Sequence, residues 1–132
     1  MDLEIINIAA DTKHNKKLRN FTHWSKYKNS FCGDEMEISI VVKNHKISDI
    51  GYQCKSCIYC QASATILSKL SINKSLAKIK EINSFVIKFF KNTNLEFSKE
   101  WKQFEKLFNK KNISRKECIL LPFKTLTKAL KS

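Results

Sequence analysis

The chain has little of what bends a backbone: its 132 residues include two glycines, Gly33 and Gly51, and one proline, Pro122. So sparse a supply argues against a loop-rich or many-turned all-β design, which needs such residues at its bends. Arginine is almost as scarce, Arg19 and Arg115 standing alone beside a positive charge made otherwise of lysine. Nothing in the sequence approaches the run of about eighteen apolar residues that spans a membrane. The opening apolar stretch is short, carries Asp2 and Glu4, and precedes the basic cluster, the reverse of a secretory signal. The expected setting is therefore cytoplasmic, with no membrane partner. In that compartment the five cysteines are metal ligands or reactive thiols rather than disulfides.

What is present points to one folded domain over residues 1–132. That length buries a continuous core without staples, and an apolar content of 42% with nine Phe supplies the material for it. A net charge of +13 first suggests nucleic acid. Lysines scattered along the whole chain, with almost no arginine, argue against that partner, because bidentate recognition favours Arg and a binding face concentrates its charge. The plain reading is a solvated lysine surface, with an acidic protein partner as the alternative.

Periodicity divides the chain into strands first and helices after. Leu3, Ile5, Ile6 and Ile8 to Ala10 predict a short opening helix, followed by a polar segment to about Asn20. Residues 21–29 alternate as an edge strand, and Glu35 to Val42 form a better one, rich in β-branched residues. Lys43 to Lys46 read as a turn and Ile47 to Cys54 as the returning third strand. From Cys57 the pattern is helical: Gln61 to Leu70, then Leu76, Ile79, Ile82, Val86 and Phe89 at the 3.6 period. Ser98 is placed to cap a third helix carrying Trp101, Phe104, Leu107 and Phe108. Ser114 with Glu117 offers a capping box for a last helix through about Leu130, with Pro122 in its second turn. The order predicts an α+β fold: a three-stranded antiparallel sheet with helices packed on one face and an N-terminal helix.

Three cysteine groups carry the chemistry. In Phe31-Cys32-Gly33-Asp34 a thiol and a carboxylate lie two residues apart; the glycine lets the backbone bend so that both can face one ion, and a buried Cys beside a turn Asp is the equal alternative. Cys54, Cys57 and Cys60 follow at the predicted strand-to-helix junction, where thiolates three apart share a zinc ion, surround a cluster, or pack as small hydrophobes. Cys57 stands near a helix start, which favours the thiolate. Cys118 falls in the first turn of the last helix, three residues after Arg115, whose charge is placed to lower its pKa or hold an acidic partner; by itself it reads equally as a helix-packing cysteine. His14, His23 and His45 belong to no ligand spacing.

Taken together and in order, these groups resemble the IscU, SufU and NifU N-terminal family of iron–sulfur scaffold proteins. Cys32-Gly33-Asp34 is similar to that family's Cys-Gly-Asp. Ile47-Ser48-Asp49 with Tyr52 is similar to its approach to the second cysteine. Cys57 followed by Gln61-Ala62-Ser63-Ala64-Thr65 resembles its helix start, and Arg115-x-x-Cys118 with Leu121 its C-terminal cysteine helix. The resemblance runs from about residue 20 to the end. It implies that Cys32, Asp34, Cys57 and Cys118 hold a transient iron–sulfur cluster or a zinc ion. It also implies that Cys32 or Cys118 accepts sulfur from a cysteine desulfurase, and that downstream carriers or apo-proteins receive the cluster. Cys54 and Ser56 replace the family's Gly-x-Gly, and Cys60 replaces a small residue, so Cys54 and Cys60 are either extra ligands or neutral substitutions. The Leu-Pro-Pro-Val-Lys element of IscU is absent, Glu117 stands where IscU has His, and the long segment between Cys57 and Cys118 is closer to SufU. The same ligands would serve a zinc-dependent sulfurtransferase that relays persulfide. A structural zinc or cluster protein would instead close its site with Cys54, Cys57, Cys60 and Cys118.

Overall fold

The computed structural model describes residues 2–30, 33–55, 57–92 and 94–131. The elements run α1 (Leu3–Ala9), β1 (His23–Lys28), β2 (Glu35–Lys43), β3 (Lys46–Lys55), α2 (Ile58–Ser71) and α3 (Leu76–Phe89), then two 3-10 runs (Lys99–Lys106 and Lys110–Arg115), and α4 (Lys116–Leu130). The expected α+β architecture is what forms. The strands make an antiparallel meander in the order β1-β2-β3, with β1 at one edge.

Alternation explains the sheet. Met36, Ile38 and Ile40 of β2 and Ile50 and Tyr52 of β3 are buried on one face, against which α2 and α4 pack. Lys43 pairs with Lys46, so the connection is two residues long, and both of them are left-handed: Asn44 at φ 53° and His45 at φ 62°. Such a turn matches the twist of the strands it joins.

The segment that the sequence marks only as polar lies along the free edge of β3 and over the part of the other face around Ser39 and Gly51. The Tyr52 N–H donates to His14 O at 2.9 Å, and His14 Nδ1 lies 3.1 Å from Ile50 O. Leu18 is buried and its N–H donates to Ser39 Oγ at 3.1 Å. Gly51 makes room for this strap: a Cβ there would stand 2.3 Å from the Lys16 carbonyl oxygen. Asp11 ties the strap to α2 through a salt bridge with Lys69.

Two helical expectations need correction. Lys99–Lys106 is a 3-10 run, and Ser98 at its N-cap makes no side-chain cap bond. At three residues per turn, positions 101, 104 and 107 fall on one side, and Trp101, Phe104 and Leu107 are all buried. Ser114 forms no capping box, because it lies inside the second 3-10 run; α4 is preceded by Arg115 at φ −106°, ψ 10°. Trp101, Phe104 and Phe108 join Phe97 and Phe123 in an aromatic core with ring centroids 5.2–6.2 Å apart. Among the described residues no helix is long and apolar enough to cross a membrane.

Candidate metal centre

Asp34, Cys57 and Cys118 sit on three different elements. Asp34 ends the β1–β2 connection, whose base closes on itself: Asn29 N–H donates to Asp34 O and Gly33 N–H to Asn29 O, both at 2.8 Å. Gly33 takes φ 75°, a left-handed value that costs glycine least. Cys57 is the residue before α2, in extended conformation at φ −71°, ψ 166°, and makes no side-chain cap bond. Cys118 is the third residue of α4.

The carboxylate oxygen and the two Sγ atoms lie within 4.8 Å of one another. Asp34 and Cys57 are half-buried, while Cys118 is 7% exposed. Asp34 Oδ2 also lies 3.5 Å from the Cys57 N–H. Ligand atoms around one tetrahedral ion with bonds of about 2.3 Å stand about 3.8 Å apart, so small side-chain movements bring these three onto a single ion. Two soft thiolates and one hard carboxylate suit iron or zinc, and three protein ligands leave a fourth position open.

Cys32, the remaining expected group, lies outside the described residues. Cys54 and Cys60 are elsewhere: among the described residues the convergence takes in neither. Cys54 is half-buried on β3, opposite Met36 of β2. Cys60 is wholly buried in the core. Arg115 directs its guanidinium over the Tyr59 ring, 5.3 Å from the centroid, which joins the start of α4 to the first turn of α2. His14 bonds to the edge of β3 and His45 forms the hairpin turn, so neither approaches a ligand role.

Sequence reasoning missed two residues beside the site. Asn29 is buried and its Nδ2 donates to Glu117 O at 3.3 Å. Ser63, buried on α2, donates from Oγ to Ile119 O at 2.7 Å. Asn29 carries no signal in its surroundings, and Ser63 is visible only as part of a motif.

Comparison with known proteins gives a consistent picture. The model of the NifU-like N terminal domain matches residues 3–94. A protein of uncharacterised function from Borreliella burgdorferi is 35% identical over 115 residues, covering 86% of this chain and 75% of its own. The iron–sulfur cluster assembly scaffold protein IscU of Thermotoga maritima is 28% identical over 128 residues, covering 96% and 89%. Among solved structures, a protein of Fervidobacterium islandicum assigned as the SUF-system scaffold superposes with TM-score 0.83 at 25% identity, over 98% of this chain and 96% of that one. The N-terminal part of a NifU-like protein from Brucella abortus shares the fold, with TM-score 0.87 at 13% identity over 98% and 91%.

Proposed function

Because this chain belongs to the NifU-like N-terminal domain family of iron–sulfur cluster assembly scaffolds, we propose that it builds a cluster on Cys32, Asp34, Cys57 and Cys118 and passes it on. The observation that carries the reading is the meeting of Asp34, Cys57 and Cys118 within 4.8 Å. Residues 1–132 act as one domain in this account, and the setting is cytoplasmic.

The cluster is cargo, so the ligands have to hold it and then let it go. Thiolates bind iron and sulfide tightly, and the single carboxylate is the exchangeable position. Sulfur arrives as a persulfide on a cysteine desulfurase. A thiolate of this chain attacks the terminal sulfur, the donor's S–S bond breaks, and the donor cysteine leaves as thiolate. A dithiol then reduces the transferred sulfur to sulfide and is itself oxidised to a disulfide. The accepting thiol has to be reachable. Cys118, at 7% exposed, meets that need poorly as the structure stands. We therefore assign it to holding the cluster, which leaves Cys32, the other acceptor that the family resemblance implies, as the first acceptor. Downstream carriers or apo-proteins take the product.

The test is anaerobic purification, measurement of iron, sulfide and zinc per chain, and reconstitution with iron, cysteine, a dithiol and a desulfurase. The expected result is a labile visible-absorbing cluster, lost in Cys57→Ser and Cys118→Ser. Tight zinc with accelerated desulfurase turnover and no cluster would replace the scaffold with a zinc-dependent persulfide relay. Retention of the cluster in both serine variants would remove the site assignment.

A further inference from the structure

The three candidate ligands come from three elements, and three hydrogen bonds join those elements in pairs. The Cys57 N–H with Asp34 Oδ2 links the β1–β2 connection to α2. Asn29 Nδ2 with Glu117 O links that connection to α4. Ser63 Oγ with Ile119 O links α2 to α4. The last two have a common feature. Glu117 and Ile119 flank Cys118, so the carbonyl on either side of this cysteine accepts a bond from a side chain outside the helix.

The first turn of α4 is where such bonds matter most. Pro122 lies inside the helix and has no N–H to give to the Cys118 carbonyl, four residues before it. The stretch before α4 is a 3-10 run, and the side chain of Arg115 at the helix N-cap makes no cap bond. With one bond of its internal ladder missing beside the cysteine, bonds from outside the helix add to what positions Cys118. Both donors are sheltered from water, Asn29 at 5% and Ser63 at 0% exposed, so neither bond is readily exchanged for one to solvent. Asn29 does more than reach α4. Its own backbone closes the loop at Asp34, so one residue holds the Asp34 backbone with its main chain and the thiol's helix with its side chain.

We infer that Asn29 and Ser63 are positioning residues that set the spacing of Asp34, Cys57 and Cys118 by gripping α4 on both sides of Cys118. The inference rests on the site proposed above. It concerns the supporting shell, which orients ligands and whose loss costs about 10–100-fold in metal affinity where measured.

Cobalt(II) is the probe, since thiolate ligation gives it a charge-transfer band that reports ligand number and geometry without any turnover. Asn29→Ala and Ser63→Ala are titrated with cobalt beside the unaltered protein, and zinc displacement gives the second affinity. Circular dichroism and the metal-free melting temperature are recorded for each, with titrations run well below that temperature. The expected outcome is a folded variant whose cobalt affinity falls at least about tenfold, with a weakened thiolate band. A loss of fold in Asn29→Ala leaves the decision to Ser63→Ala, which keeps a good helix former in α2. Wild-type affinity and spectrum in the folded variants would overturn the inference and leave the site standing. A thiolate band missing from the unaltered protein would overturn the site, and this inference with it.

Discussion

Gly51 and Cys60 show how single side chains divide between shape and chemistry. Gly51 is conformationally ordinary, and its value lies in the space above it, which the Lys16 carbonyl fills. Gly51→Ala has to lift the strap and loosen the bond from Tyr52 N–H to His14 O. A cost of about 1–3 kcal/mol is expected, as for other overpacked sites, read as a lower urea midpoint with unchanged slope. Cys60 looks like a ligand in the sequence, one of three cysteines at even spacing, yet it is wholly buried in the core. Cys60→Ser is expected to cost about 1–3 kcal/mol for placing a hydroxyl there while leaving bound metal per chain unchanged. Loss of metal in that variant would return Cys60 to the site. Neither role is legible locally. A cysteine on the core side of a helix and one on its open end have the same neighbours in sequence, and contact between residues 16 and 51 leaves no periodic mark. Asp34, Cys57 and Cys118 were legible for a different reason, the order of motifs along the chain.

Elements were legible where one period dominates. Ile38 and Ile40 alternate with polar neighbours, and Leu76 to Phe89 keep to 3.6 residues. The aromatic stretch fits two periods at once, because Trp101, Phe104 and Phe108 suit an α-helix while Trp101, Phe104 and Leu107 suit the 3-10 run that forms. The links between elements make a prediction about acid. Asp11 is held below the ordinary carboxylate range by the hydrogen bond from Lys69, Glu37 by that from Trp24, and Glu100 by that from Lys78. They join the strap to α2, one strand to the next, and the first 3-10 run to the start of α3. Since each folded value lies below the unfolded one, the stability they give is complete above the unfolded values, 3.8 for Asp and 4.5 for Glu. It is lost as pH falls through the lowered folded values. The urea midpoint should therefore hold level from neutrality down to about pH 5 and drop below that, and Glu37→Gln should make the drop shallower. A midpoint that rises on acidification would contradict the assignment.

For the molecule as a whole, charge and connectivity matter more than any one contact. A net charge of +13 makes the folded chain repel itself, whereas its ion pairs, such as Lys26–Glu35 and Lys102–Glu105, are largely exposed and contribute little each. Screening should then favour the fold: raising sodium chloride from about 0.02 to 0.3 M shortens the Debye length from about 20 to 6 Å and is expected to raise the melting temperature. A fall would mean that the ion pairs outweigh the repulsion. The fold class itself was readable from the succession of strands and helices. The grip on α4 was not, because Asn29 reaches a carbonyl 88 positions away. That distance along the chain has a last consequence. An ion held at positions 34, 57 and 118 closes large loops and so restrains the unfolded chain as a cross-link does. On the proposed reading, cargo is therefore also a removable staple. The protein that has just given up its cluster is the one most open to proteases, and digestion with and without zinc would record the difference.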